Sequence, residues 1–165
     1  MTLESDIGCL KSIPLFRGLP GPRLKLLALM GERLHFPAGT VITEEGDKPE
    51  EVYCVLEGEV ELSHEAPEGR SKTFRLASGS LIGDVPLLCN QTYAARSTAK
   101  TDVVALRLPR ALFFELLDNI PEFSVALSRD LAGRLYRLAD SVLHRGRSRV
   151  LRRHTRQLSM FPADI

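Results

Sequence analysis

The stretch VYCVLEGEVEL, residues 52–62, decides the fold class of this 165-residue chain. Every second position on both sides of a single glycine is apolar, the apolar set being Val52, Cys54, Leu56, Val60 and Leu62. A period of two is typical of a strand with one buried face, and a glycine between two such runs indicates a turn. The stretch therefore predicts two strands joined at Gly58.

The same period of two extends from about residue 35 to residue 108. Glycines interrupt it at near-regular intervals, at Gly39, Gly46, Gly58, Gly69, Gly79 and Gly83. Turn residues spaced in this way between short alternating runs predict about eight strands arranged as a sandwich or roll. We therefore predict a mainly β fold, an eight-stranded β-roll of the double-stranded β-helix or jelly-roll type, with a polar hairpin loop at residues 66–69.

Helices flank the predicted roll. Leu24 and Leu27 follow a Pro-Gly-Pro start at helical spacing, which predicts an N-terminal helical cap. A helix period returns after Pro109 and breaks at Pro121, which predicts a short helix and then a long one that ends near Arg145. The predicted boundaries are 1–34 for the cap, 35–108 for the roll, 109–145 for the C-terminal helices and 146–165 for a basic tail.

Five apolar residues form a narrow seam on the predicted long helix: Leu127, Leu131, Leu135, Leu138 and Val142. Their spacings of 4, 4, 3 and 4 residues approach the repeat of a coiled coil. One interpretation is that the seam simply covers the roll. A seam this narrow favours the other interpretation, a parallel pair of helices in a homodimer.

The net charge of +1 is divided unevenly along the chain. Residues 144–156, HRGRSRVLRRHTR, contain six arginines and no acid, so the rest of the chain carries −5. Such runs are usually solvated, and a disordered or loosely helical tail is the first interpretation. The alternative is that this tail binds an acidic partner or nucleic acid, since each arginine–phosphate contact adds salt-dependent affinity. No other part of the chain suggests a nucleic-acid contact.

Membrane, metal and catalytic chemistry find little support. No apolar run approaches the roughly 20 residues that a membrane span needs, and Glu4 and Asp6 stand where a secretory signal has its basic end. We therefore expect a cytoplasmic protein without membrane contact. The cysteines and histidines lack metal-ligand or disulfide spacing: Cys9, Cys54, Cys89, His35, His64, His144 and His154. No nucleophile elbow, P-loop or zinc-protease motif occurs, so we expect no enzyme activity and no cofactor.

Four ordered motifs resemble those of the cyclic nucleotide-binding domain, the sensor domain of catabolite-activator-type regulators, kinase regulatory subunits and gated channels. They are FPAGTVITEEGD at 36–47, VYCVLEGEV at 52–60, GSLIGD at 79–84 and AKTD at 99–102. Several motifs in order at matching spacing are more specific than one short pattern. The resemblance covers roughly residues 10–145 and implies a phosphate-binding cassette at residues 83–99.

The resemblance implies these cassette residues: Gly83, Asp84, Val85, Pro86, Tyr93, Ala94, Arg96 and Ser97. In the family, a glycine lets the backbone approach the ligand, an acid binds the ribose 2′-hydroxyl, and an arginine ten residues after the glycine neutralises the phosphate. Here Asp84 supplies the acid on a shorter arm, but Tyr93 occupies the arginine position. Arg96 lies three residues later, which on a strand places it on the opposite face. Pro86 lacks the backbone N–H that usually binds the phosphate.

Losing the charged partner of a buried phosphate costs about 2–5 kcal/mol, roughly 30- to several-thousand-fold in affinity. We therefore predict a non-catalytic sensor or regulatory domain of signal transduction that binds cAMP and cGMP weakly or not at all, with a pocket open to a less anionic ligand. About 20 residues follow Arg145, too few for a helix-turn-helix, so the long helix would pass the signal to a separate protein effector. The alternative is a ligand-free interaction or dimerisation module, and an enzyme on a related double-sheet scaffold ranks last.

Overall fold

The computed structural model describes residues 3–65 and 71–157, which divide into two compact units between Ala126 and Leu127. The helices are α1 (Leu3–Ser12), α2 (Gly21–Met30), α3 (Asp84–Leu88), α4 (Arg110–Asn119) and α5 (Pro121–Gln157). The strands are β1 (Glu32–Phe36), β2 (Val41–Thr43), β3 (Glu51–Glu57), β4 (Val60–Glu65), β5 (Ser71–Leu76), β6 (Leu81–Ile82), β7 (Arg96–Ala99) and β8 (Val103–Pro109). The predicted hairpin loop at 66–69 and the end of the predicted tail lie outside the described residues.

The eight described strands form two four-stranded antiparallel sheets. Sheet A has the order β1-β8-β3-β6, and sheet B has the order β2-β7-β4-β5. The chain changes sheet at every connection between consecutive strands except β4–β5, so each sheet combines strands from both ends of the β region. This is the connectivity of a roll. The prediction of a mainly β fold with eight strands and flanking helices is confirmed.

Strand β3 is the centre of the core. Its residues from Val52 to Leu56 are all buried, whereas the predicted alternation buries only every second one. The difference arises because β3 lies between β8 and β6, with helices α3 and α4 also in contact with it. Tyr53 and Val55 therefore join an apolar cluster inside the roll, while the intervening residues fill the opposite face of the strand.

The flanking helices of the first unit pack through apolar and aromatic side chains. Leu24 and Leu27 of α2 are fully buried, as their helical spacing predicts. The ring of Phe123 stacks on Phe16 with a centroid distance of 6.0 Å and meets Phe113 edge-to-face at 5.9 Å. Such aromatic pairs add about 0.5–1.5 kcal/mol each beyond the area they bury. The rings therefore tie the N-terminal helices to the helices that follow the roll.

The predicted turn glycines adopt left-handed conformations. Positive φ occurs at Gly39, Gly46, Gly58, Gly79 and Gly83, and Gly69 lies outside the described residues. The turn between β3 and β4 is the tightest, because a Cβ at Gly58 would overlap the carbonyl oxygen of Asp102. Only glycine meets both the conformational and the spatial demand of that turn.

The second unit is the helix α5 from Leu127 onward. It continues to Gln157, well past the predicted end near Arg145. Arginine is a good helix former, and positive charge is favourable near a helix C-terminus, so the charge run does not stop the helix. An ion pair one turn apart, Asp130 with Arg134 at 2.8 Å, supports it earlier on. Among the described helices, α5 included, none combines the length and the apolar composition that a membrane crossing requires.

The predicted seam changes its exposure along α5. Leu127 is buried and Leu131 is half-buried. The next three members, Leu135, Leu138 and Val142, are 69%, 60% and 69% exposed. Consecutive exposed apolar residues on one helix face indicate a surface for a partner.

Candidate ligand-binding cassette

The cassette begins where β6 ends at a left-handed glycine. Gly83 has a φ of 93° and links Leu81–Ile82 to the short helix Asp84–Leu88. A Cβ at Gly83 would lie 2.8 Å from the carbonyl oxygen of Glu51 and 3.1 Å from the hydroxyl oxygen of Tyr93. Glycine is therefore needed for the backbone conformation and for the close approach of these two neighbours.

Tyr93 fills the space beside this glycine. Its side chain is only 9% exposed and belongs to the apolar cluster inside the roll. Its backbone is held in both directions, because its N–H donates to the carbonyl of Asp47 and its own carbonyl accepts from the N–H of Gly46, each at 2.9 Å. A packed, immobilised phenol thus occupies the position that the family resemblance gives to an arginine.

Negative charge acts on Tyr93 of the cassette and on Tyr53 of the neighbouring strand β3. Glu51 is half-buried and accepts a 2.6 Å hydrogen bond from the hydroxyl of Tyr53. Burial raises the pKa of Tyr93 to about 12, with further contributions from the charges of Glu51, Asp47 and Glu50. Burial and the hydrogen bond to Glu51 also raise the pKa of Tyr53. Both phenols therefore stay neutral and lie near negative charge, whereas a phosphate is stabilised by positive charge.

Asp84 lies beneath the surface, 2% exposed, at the start of α3. Burial raises the pKa of the Cys54 thiol to about 12, and the charge of Asp84 is the second cause. Cys54 is therefore a neutral, buried side chain, while Cys9 is half-buried and Cys89 exposed, all three as free thiols. Within residues 3–65 and 71–157, no group of three or more His, Cys, Asp or Glu side chains is arranged to hold a metal ion.

Arg96 and Ser97 lie on opposite faces of sheet B. The Nε of Arg96, which is half-exposed, donates to Oε2 of Glu44 at 2.7 Å. Ser97 is fully buried, and its hydroxyl oxygen lies 2.6 Å from that of Thr43. Because neighbouring strand residues face opposite sides, Arg96 lies outside the roll and Ser97 inside it. The structure therefore does not bring the guanidinium of Arg96 to the cassette glycine.

The remaining predicted cassette residues differ in exposure. Val85 and Ala94 are exposed, and Pro86 is half-buried within α3. A cleft of about 310 Å³ opens beside the later part of the cassette, between the loop before β3 and the start of α4. Its charged lining residues are Lys48, Glu50 and Arg110, and the lining does not include Gly83, Asp84 or Tyr93.

A row of residues that sequence reasoning missed crosses the inner face of sheet B. The strand register aligns Thr43, Ser97, Leu62 and Phe74. Leu76, two residues after Phe74 on the same face, packs on the inner cluster. Phe74 is nevertheless 57% exposed, so the inner face is closed at the β2 edge and open at the β5 edge. The alternation of residues along β5 could have predicted which side of the sheet Phe74 faces. No sequence pattern pointed to Glu51 or Tyr53, because their roles depend on contacts across strands.

Comparisons with known proteins agree with this geometry. A sequence model of the Cyclic nucleotide-binding domain matches residues 33–119. The cAMP-dependent protein kinase regulatory subunit of Aspergillus fumigatus is 34% identical over 114 residues, which are 68% of this chain and 27% of that protein. The chain therefore spans only about a quarter of that relative's length.

Two solved structures share the fold over most of the chain. The catabolite activator protein of Thermus thermophilus has a TM-score of 0.70 at 32% identity, covering 79% of this chain and 62% of that one. The regulatory subunit of a cAMP-independent protein kinase A from Trypanosoma cruzi, bound to guanosine, has a TM-score of 0.69 at 27% identity, covering 87% and 50%. The family model also matches more than half of the residues of this chain. The chain therefore belongs to the cyclic nucleotide-binding domain family.

Proposed function

We propose that this chain is a non-catalytic regulatory domain of signal transduction whose cassette binds cAMP and cGMP weakly or not at all. The observation that carries the proposal is the buried ring of Tyr93 beside Gly83, at the position of the family's phosphate-binding arginine. The relatives described above are a kinase regulatory subunit and a catabolite activator protein, which favours regulation over catalysis.

The energetics oppose a bound phosphate. A buried phosphate without its charged partner loses about 2–5 kcal/mol. One neutral hydrogen bond from Tyr93 would return only about 0.5–1.5 kcal/mol. The half-buried carboxylate of Glu51 adds repulsion, since like charges in a partly desolvated site disfavour each other. The midpoints of these two ranges leave a deficit of about 2.5 kcal/mol, so a cyclic nucleotide is expected to bind roughly 70-fold more weakly than in relatives that retain the arginine.

An uncharged nucleoside suits this cassette better than a cyclic nucleotide. Its ribose hydroxyls are hydrogen-bond donors, and the carboxylates of Glu51 and Asp84 are acceptors. Phe74, at the open edge of the roll's inner face, offers an aromatic surface for a base. The T. cruzi relative bound to guanosine supports this ligand class.

The output of the domain would pass through α5 to a protein effector, in a cytoplasmic homodimer. The exposed seam members Leu135, Leu138 and Val142 support dimerisation, because their spacing is that of a coiled-coil stripe. Nucleoside binding in the cassette would then bias the helix pair, a two-state element of the kind that ligand switches use.

A second candidate is a ligand-free interaction module that retains only the fold. The specific observation in its favour is that Tyr53 and Tyr93 complete the apolar cluster of the roll from within the chain. A cluster that the chain's own side chains already fill does not need a ligand to stabilise it. In that case the seam on α5 would be the functional surface.

Titration of the purified chain with cAMP, cGMP, adenosine and guanosine separates these functions. We expect no cyclic nucleotide to bind with a dissociation constant below about 10 μM, whereas a nucleoside raises the unfolding midpoint by mass action. A cAMP dissociation constant below that limit would contradict the proposal. If none of the four ligands shifts the midpoint and the chain is a stable dimer, the interaction module is the better description.

A further inference from the structure

An arginine that no sequence motif pointed to lies on the inner face of sheet A. Arg107 follows Val103 and Ala105 along β8 at intervals of two, and both belong to the apolar cluster inside the roll. Because every second strand residue faces the same side, Arg107 faces the inside of the roll as well. Its side chain is 38% exposed, so a small molecule can reach it.

The strand register connects Arg107 with the cassette. Arg107 lies opposite Tyr53 of β3, and Tyr53 lies opposite Ile82, the residue before the cassette glycine. Neighbouring strands are about 4.8 Å apart, so the backbone at Arg107 is about 10 Å from that at Ile82 across the sheet. A nucleoside covers that span from its ribose hydroxyls to the far edge of its base.

Arg107 places a positive charge between two carboxylates of the inner face. Its Nη2 contacts the carboxylate of Glu32, its neighbour on β1. On the other side, the charge of Arg107 opposes the rise in the pKa of Tyr53 that burial and Glu51 cause. One guanidinium and two carboxylates leave this part of the roll with a net charge of −1, which disfavours an anionic ligand.

The guanidinium of Arg107 retains unused hydrogen-bond donors. An arginine side chain has five N–H donors in a planar fork. Within the described part of the chain, the buried Nε of Arg107 has no hydrogen-bond partner. A buried donor without a partner is rare in folded proteins, and a ligand with two adjacent acceptors along the Nε–Nη edge of the guanidinium would provide one.

We propose that Arg107 recognises the base of the bound nucleoside and selects guanine over adenine. This inference rests on the proposed function, in which the cassette binds an uncharged nucleoside. Guanine presents two neighbouring acceptors, O6 and N7, that match the guanidinium fork, whereas adenine has an amino donor in place of O6. Stacking on Phe74 uses the face of the base and the contact with Arg107 uses its edge, so the two contacts do not compete.

Isothermal titration calorimetry with guanosine, inosine and adenosine tests the proposal, because inosine shares O6 and N7 with guanosine. We expect guanosine and inosine to bind roughly 5- to 150-fold more tightly than adenosine, the range that one bidentate pair gives. The variant Arg107→Gln should abolish this preference, because a glutamine amide matches the N6 and N7 of adenine and not the two acceptors of guanine. The same amide still donates to Glu32, which helps the variant to fold.

Two further variants serve as controls. Arg33→Gln removes another ion-paired arginine of sheet A, whose Nη1 lies 2.6 Å from Oδ1 of Asp6. Arg33 faces outward, because the next residue, Leu34, packs on the inner cluster, so this variant should retain the preference. Glu32→Gln removes the charged partner of Arg107 but keeps the guanidinium, and it should retain the preference as well. Thermal unfolding checks that each variant is folded.

The outcomes separate this inference from the proposed function. Equal binding of the three nucleosides by the parent chain, or an unchanged preference in R107Q, would overturn the inference and leave the proposed function intact. Loss of the preference in R33Q or E32Q would also overturn it, because a general effect on the roll would then explain the result for R107Q. If no nucleoside binds the parent chain, nucleoside binding by the cassette is wrong and the inference fails with it.

Discussion

Tyr93 packs beside Gly83, and the charges of Glu51, Asp47 and Glu50 act on its hydroxyl, so the effect of these groups can be tested by substitution. We predict that the double variant Y93R/E51Q gains affinity for cAMP by about 30-fold or more, because it restores a charged phosphate partner and removes a competing carboxylate. Isothermal titration calorimetry measures the change. Glutamine in place of Glu51 keeps an acceptor for the hydroxyl of Tyr53.

The control for this gain is Tyr93→Phe, which retains the ring and removes only the hydroxyl. It is expected to bind cAMP no better than the parent chain, since a neutral ring offers no charge to a phosphate. Equal cAMP affinity in Y93F and Y93R/E51Q would show that the absent charge at this position is not what limits binding. Thermal unfolding of both variants confirms that each remains folded before the titrations are compared.

Part of the cassette could be predicted from single residues, and part could not. The glycine, the acid and the tyrosine were assigned because their spacing along one segment matches a motif, which needs no knowledge of other strands. Glu51 and Tyr53 come from β3, and the effect of Glu51 on Tyr93 depends on the fold that brings these residues together. The direction and exposure of Phe74 depend likewise on its place at the β5 edge of sheet B.

At the scale of elements, the β3–β4 turn provides a test of close backbone approach. Gly58 and Gly39 have nearly equal φ values of 89° and 87°, but only a Cβ at Gly58 would meet other atoms, while one at Gly39 would meet none within 4 Å. Both alanine variants bear the left-handed strain of about 1–2 kcal/mol. We expect Gly58→Ala to lower the free energy of unfolding by about 2 kcal/mol more than Gly39→Ala in urea titrations. Equal losses would show that the turn relaxes around the added methyl group.

The same elements show where pattern reasoning succeeds and where it stops. Alternation and glycine spacing predicted the strands, because both depend on local backbone conformation and burial of one face. They did not predict that β3 is buried on both faces, since that depends on the cluster inside the roll and on the helices α3 and α4 that also contact β3. The observed end of α5 lies beyond the predicted one for another reason. We interpreted the arginine run as a tail because of its charge, although arginine itself favours a helix.

On the scale of the whole molecule, the exposed members of the seam on α5, Leu135, Leu138 and Val142, would pair two copies of the chain. Salt does not screen an apolar contact, so we expect the dimer to persist between 50 and 500 mM salt in sedimentation velocity. Loss of the dimer over that range would show that charge, and not the seam, holds the two copies together.

The last prediction concerns the dimer itself. Val142 and Leu143 are adjacent and similarly exposed, at 69% and 72%, but only Val142 belongs to the seam. Val142→Glu is expected to shift the chain to monomer in sedimentation velocity at 500 mM salt, because it places a charge against its own copy in an apolar interface. Leu143→Glu adds the same charge outside the seam and should leave the dimer intact. If both variants dissociate equally, or neither does, the seam is not the dimer interface.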